Sequence, residues 1–292
     1  MPEGVRAVKM ATMPTFEAPD GARLSYRLEG YGEPVLCLPG GPMRASAYLG
    51  DLGGLSAHRR LVILDLRGTG DSQPPEEDAG YRCDRQVADV EALRVHLGLE
   101  RVDVLAHSAA GDLGLLYALA HPDRVRTLVL VTARMRALGI EFTGEHLQEA
   151  AVLRSGEPWF EAGMRGYANL LNGSTAEEDW GAVMPFFYGR WSERARAHAA
   201  AGVEQSNEHA AALFSPPEAF DPEVGRAAVA SWGVPVLLLA GELDGGPRPR
   251  VATEAARLFD DARTVVQPGG GHFPWLDDPA FFSEAVAGFL DR

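Results

Sequence analysis

The sequence predicts a doubly wound, mostly parallel α/β sheet that carries a helical insertion. Short Val- and Leu-rich runs alternate with helix-period segments along most of the chain. The runs are apolar at nearly every position, as strands buried on both faces require. Residues 134–232 break the alternation and read as helical, with no clear strand.

Each element follows from local chemistry. Residues 1–14 carry little pattern and are expected to be a loose tail, whereas 23–28 alternate like a half-exposed strand. Buried strands are expected at Pro34–Leu38, 61–66, 102–106 and 127–131, each bounded by Gly, Pro or charged residues. A helix is expected over 84–97, where Val87, Val90, Leu93 and Leu97 share one face and Gly98 stops it. A second spans 109–120 and ends at His121-Pro122. A strand at 234–240, a helix at 251–259 and a short strand at 264–266 follow. The last helix, Pro279–Leu290, has Asp278 as N-cap and proline at its first position. The core is thus 1–133 with 233–292, and 134–232 is the insertion, read as a lid. Half of the chain's 24 aromatics fall in the insertion, among them Trp159, Tyr167, Trp180, Phe186, Phe187, Tyr188 and Trp191. They serve a small core of the insertion or line an apolar pocket over a site; the pocket reading makes Phe187 and Trp191 candidate substrate contacts.

Composition excludes several functions. A chain of 292 residues suits one large domain or a domain plus insertion, and 46% apolar with 23% charged residues excludes general disorder. The net charge of −14 disfavours nucleic acid and anionic membrane as partners. Lys9 is the only lysine, so a P-loop is impossible and Schiff-base chemistry is confined to the tail. Cys37 and Cys83 form no metal-ligand pair; Cys37 reads as a buried filler and Cys83 as a helix-entry residue. No metal or cofactor is expected. With no apolar leader and no uninterrupted apolar stretch near 18 residues, the expected location is cytoplasmic. A homo-oligomer is compatible with this reading.

Ser108 stands where a buried strand stops and a helix begins, between the small residues Ala106 and Ala110. A nucleophile on such a sharp turn needs small neighbours two positions either side, where glycine is usual. Its partners would follow in the order acid, then histidine, at the ends of later strands. Asp244 follows the strand at 234–240, with Glu242 as a rival carboxylate, and His272 follows Gly269-Gly270-Gly271, a run expected to let the imidazole swing toward Ser108. A turn aspartate and a loop histidine packed on Trp275 are the plain alternatives. His107 reads as structural or pocket-lining, since it points away from the exposed side of Ser108. An oxyanion hole would use the N–H groups of Ala109 and, from the loop Leu38-Pro39-Gly40-Gly41-Pro42, of Gly41, because proline has none. Gly40 is a further candidate contact to substrate.

These residues resemble the α/β-hydrolase superfamily. The resemblance is carried by the loop through Pro39-Gly40-Gly41-Pro42, by Asp65-Leu66-Arg67-Gly68-Thr69-Gly70-Asp71-Ser72, by the Ser108 turn, by Ala120-His121-Pro122-Asp123-Arg124-Val125, and by the segments bearing Asp244 and Gly271-His272-Phe273. It spans 15–292 apart from the insertion, and it implies that the insertion is the superfamily's lid. The proline iminopeptidase group is the most similar. That group carries HGGPG, where this chain has Pro39 and Met43 at the ends, and glycine where this chain has Ala106. Its lid carboxylates bind the substrate's amine, which implies that role for Glu204 and Glu208, expected one helical turn apart. Solvated surface is the alternative for this pair. The expected activity is hydrolysis of an ester or amide of a small, largely apolar molecule or short peptide through an acyl-enzyme. Acyl transfer, lyase or perhydrolase chemistry on the same scaffold, and a ligand-binding protein with a silent triad, are the alternatives.

Overall fold

Successive side chains of a strand point to opposite faces, so a run apolar at every position needs cover on both sides. The computed structural model describes residues 13–141 and 143–292. Lys9 and most of the expected tail lie outside them. The strands are β1 (Thr15–Glu17), β2 (Arg23–Glu29), β3 (Pro34–Leu38), β4 (Arg60–Leu64), β5 (Val102–His107), β6 (Val125–Val131), β7 (Val236–Gly241) and β8 (Ala262–Gln267). They form one sheet in the order β1-β2-β4-β3-β5-β6-β7-β8. β1 and β2 pair antiparallel, as do β2 and β4, and every other pairing is parallel.

Leu36, Val62, Val104, Leu128 and Leu238 face one side, where they meet helices α1 (Cys83–His96) and α2 (Ala110–Ala120). Val35, Cys37, Ile63, Leu105, Val129 and Leu237 face the other, in one cluster with Phe282, Val286 and Phe289 of the C-terminal helix, Pro279–Leu290. Cys37 is buried, as expected, and Cys83 opens α1 with its thiol pushed up to about 12 by burial.

Six helices lie between β6 and β7: α3 (Gly144–Val152), α4 (Phe160–Leu171), α5 (Glu177–Val183), α6 (Glu193–Gln205), α7 (Glu208–Phe214) and α8 (Pro222–Val229). Leu147, Ala151, Val183 and Phe186 form a small core there, flanked by Trp159, Phe160 and Tyr167. Ala210, Phe214 and Val229 instead join the large cluster beneath the sheet. The aromatic content therefore divides: part is core, and Trp180 is exposed.

Several boundaries differ from the sequence reading. The strand expected at 61–66 stops at Leu64, and the carboxylate of Asp65 beyond it accepts the Ser46 N–H at 2.9 Å. The strand expected at 264–266 runs from Ala262 to Gln267, because parallel pairing with β7 orders its flanks. The helix expected at 251–259 is α9 (Pro249–Ala256), with proline in its first turn. The three-residue β1 and the short helix α10 (Pro274–Asp277) carried no periodic signal, being too brief to show one. No helix among the described residues is long and apolar enough to cross a membrane.

The turn after β4 is held by Arg67. Its guanidinium takes both oxygens of buried Asp89 at 2.5 and 2.6 Å and both of Asp20 at 2.5 and 3.1 Å. Removing one partner of a buried pair leaves a charge uncompensated, at a cost of about 3–5 kcal/mol. Arg67→Met is therefore expected to lower the unfolding free energy by about 3 kcal/mol in urea melts. A change under about 1 kcal/mol, the level of an exposed pair, would show that Arg67 does not hold this turn.

Candidate active site

The parallel strands bring their carboxyl ends to one edge, where functional loops of open α/β sheets gather. Ser108 follows β5 directly and takes φ +54°, a left-handed conformation that costs a non-glycine residue roughly 1–3 kcal/mol. Its backbone is tied on each side: its N–H donates to the Val131 carbonyl at 3.0 Å, and its carbonyl accepts N–H groups of Gly111 and Arg134 at 2.9 and 2.8 Å. Space for the turn comes from more positions than Ala106 and Ala110. A methyl group on Gly111 would lie 2.4 Å from the Arg134 carbonyl, and one on Gly114 would lie 2.9 Å from the Ala106 side chain. The spacing Gly111, Gly114 on the entering helix was the missed signal.

Ser108, His272 and Asp244 meet. Asp244 Oδ2 lies 2.9 Å from His272 Nδ1, and His272 Nε2 lies 2.8 Å from Ser108 Oγ. The carboxylate accepts from Nδ1–H, which leaves Nε2 to accept the hydroxyl proton of Ser108. Asp244 is fully buried, its other oxygen accepts the Gly246 N–H at 2.7 Å, and Ser108 and His272 are 7% and 9% exposed. The rival Glu242 points elsewhere and accepts the Gly269 N–H.

Of the glycine run before His272, Gly270 and Gly271 are buried and closely packed, which leaves little room for the expected swing. A methyl on Gly271 would lie 2.5 Å from Gly189 N, and one on Gly241 would lie 2.1 Å from the Gly271 carbonyl. These glycines permit close approach of three backbones. The insertion segment 186–190 is one of them. Phe187 accepts the His272 N–H at 2.8 Å and Phe186 accepts the Gly245 N–H at 2.9 Å. Asp277 gathers N–H groups of Gly189, Arg190 and Gly271 at 3.1, 3.2 and 2.8 Å.

The remaining candidates divide. Gly40 presses on the turn, since a methyl there would lie 2.8 Å from Ser108 Cβ, and its N–H donates to the Tyr48 hydroxyl at 2.7 Å. Its amide is therefore engaged, leaving Gly41, at φ +123°, as the next N–H along the loop. Ala109 N–H lies at the amino end of α2, where no intrahelical acceptor exists. The ring of Phe187 stands edge-on to His272 with centroids 5.8 Å apart. Trp191 packs on Tyr188 and lines, with Glu157, Trp159 and Arg196, an open cleft of about 430 Å³. Glu204 and Glu208 are exposed and not on one helix: α6 ends at Gln205 and α7 starts at Glu208. The break arises because Ser206 bridges Arg44 antiparallel and Asn207 caps α7. His107 is buried, and burial holds its imidazole well below the ordinary range. Among the described residues, no group of three or more His, Cys, Asp or Glu is arranged to hold a metal ion.

A family model described as alpha/beta hydrolase fold matches residues 33–279. A putative carbamate hydrolase of Azorhizobium caulinodans is 28% identical over 276 residues, covering 92% of this chain and 95% of that protein. A probable proline iminopeptidase of Streptomyces coelicolor is 43% identical over 106 residues, only 34% of this chain and 32% of that protein. An esterase structure from Rhodococcus sp. ECU1013 shares the fold with a TM-score of 0.72, at 24% identity over 96% of this chain and 99% of that one.

Behind the turn, one side chain titrates unusually. Asp112 is fully buried on α2, Oδ1 accepts the Ala137 N–H at 3.2 Å, and Oδ2 has no hydrogen-bond partner among the described residues. Burial pushes its carboxyl up to about 6, from an ordinary 3.8. The folded protein keeps this proton up to about pH 6 while the unfolded chain releases it near 3.8, so the stability it contributes in acid is lost as pH climbs between them. The stability of Asp112→Asn relative to wild type is expected to rise by about 2 kcal/mol between pH 4 and pH 7 in urea melts. A difference that stays constant with pH would show that Asp112 titrates normally.

Proposed function

The chain belongs to the α/β-hydrolase fold family, and on that premise we propose that it is a serine hydrolase cleaving an ester or amide of a small, largely apolar molecule through an acyl-enzyme. One observation carries the reading: the unbroken line of hydrogen bonds from Ser108 Oγ through His272 to Asp244, at 2.8 and 2.9 Å. Ser108 attacks the carbonyl carbon and passes its proton to His272 Nε2. Asp244 holds the imidazole in that orientation and stabilises the cation that forms. The carbonyl oxygen becomes an oxyanion, received by the N–H groups of Ala109 and Gly41. Collapse expels the leaving group with the proton from His272, and water, activated by the same imidazole, releases the acyl group. Residues 134–232 act as the lid in this scheme, with Phe187 as the wall beside the base.

Proline iminopeptidase activity is the second reading, favoured by the 43% identity over a third of the chain. The exposure of Glu204 and Glu208 gives it no buried amine-binding pair, so the ester or simple amide stands first.

A fluorophosphonate probe is expected to add once to the wild type and not to Ser108→Ala, read by intact mass. Asp244→Asn is expected to lower kcat by about 10⁴-fold, because the imidazole then takes the wrong tautomer. A panel of p-nitrophenyl esters, an aryl carbamate and prolyl amides with free and acetylated amines separates the substrate classes. Turnover surviving in Ser108→Ala rules out the serine mechanism. Activity confined to the free prolyl amine would move the second reading to first place.

A further inference from the structure

We infer that Tyr48 and His107 are positioning residues that set the oxyanion loop against the loop bearing the base; this rests on the serine-hydrolase reading. The observation is a single hydrogen-bond chain through the buried floor of the site. Gly40 N–H donates to Tyr48 Oη at 2.7 Å, Tyr48 Oη lies 2.7 Å from His107 Nδ1, and His107 Nε2 lies 2.9 Å from the backbone carbonyl of His272.

The chemistry allows one direction. A backbone carbonyl only accepts, so His107 Nε2 carries the hydrogen. His107 is neutral, because burial depresses its basicity, so Nδ1 has only a lone pair and receives the tyrosine hydroxyl. That leaves the phenolic oxygen to accept Gly40 N–H. Every hydrogen in the chain thereby has an acceptor, and each bond polarises the next in a low-dielectric interior.

The ends of the chain give it meaning. One end is the residue before Gly41, a proposed oxyanion donor. The other is the backbone of His272, whose carbonyl also accepts the Thr132 hydroxyl at 2.9 Å. The middle, His107, is covalently joined to Ser108. The device therefore ties nucleophile, base and oxyanion loop to one another through two side chains that touch none of the reacting atoms. Packing reinforces it, with the His107 ring 4.8 Å from Trp275 and 5.0 Å from His272 between centroids. Removing the tyrosine oxygen frees the Gly40 amide, so the Gly41 N–H moves relative to the carbonyl carbon under attack. Misplacement by about 1 Å costs on the order of 10²-fold in rate.

The test is Tyr48→Phe, assayed with the fastest ester of the panel above. We expect kcat to fall about 10- to 100-fold with KM little changed, and affinity for an alkyl trifluoromethyl ketone to fall by the same factor. That inhibitor forms the serine hemiketal oxyanion, which a merely structural role would not single out. Full kcat and unchanged ketone affinity in a folded Tyr48→Phe overturn the inference, as does a loss no greater than the loss of folded protein. A measurement on the wild type covers the case of a variant that does not fold. The imidazole ¹⁵N spectrum is expected to show His107 as the neutral Nε2–H form from pH 5 to 8, and an Nδ1–H form or an imidazolium overturns the chain. Turnover retained by Ser108→Ala removes both this inference and the reading beneath it. A dead Ser108→Ala beside a fully active Tyr48→Phe removes this inference alone.

Discussion

A serine with a left-handed backbone stands at the end of one of the two central buried strands, and much of the molecule is arranged to keep it there. The conformation is unfavourable locally, so it persists only where neighbours over-determine it. β5 supplies the first constraint, because its residues are buried on both faces and cannot shift register without exposing apolar side chains. β6 and the segment after it supply the second, β6 lending the Val131 carbonyl to the Ser108 amide and the following segment the Arg134 amide to its carbonyl. Glycines 111 and 114 supply the third by letting α2 approach. The aspartate and histidine then need only loops at the ends of β7 and β8, strands whose parallel pairing aims them at the same edge.

Much of this was legible in the sequence because it is local. Apolar runs and helix periods mark the strands and helices, and small residues around Ser108 mark a tight turn. Chain order singled out Asp244 and His272, and the structure places His272 against Ser108 and Asp244 against His272. Glu242 is a rival by spacing; the fold turns it to Gly269 instead.

What stayed hidden depends on contacts between distant residues. Glu204 and Glu208 read as neighbours on one helix because helical spacing is blind to the bridge between Arg44 and Ser206 that breaks it. The glycines before His272 read as a source of freedom, whereas Gly189 and Gly241, far away in sequence, turn Gly270 and Gly271 into a close-packed seam. Tyr48 carried no signal of its own. Its hydroxyl joins residues 40, 107 and 272, a relation that no period or motif encodes.

The seam at 186–190 bears on how this scaffold can be altered. Phe186, Phe187 and Gly189 belong to the insertion, yet the first two share backbone hydrogen bonds with the loops bearing Asp244 and His272, and Gly189 donates its N–H to the Asp277 carboxylate. Wholesale exchange of the insertion would sever those bonds along with its helices. A graft that respects the architecture would leave 186–190 and Asp277 in place and join new helices on either side. That five-residue stretch is built into the loops bearing Asp244 and His272 rather than into the rest of the insertion.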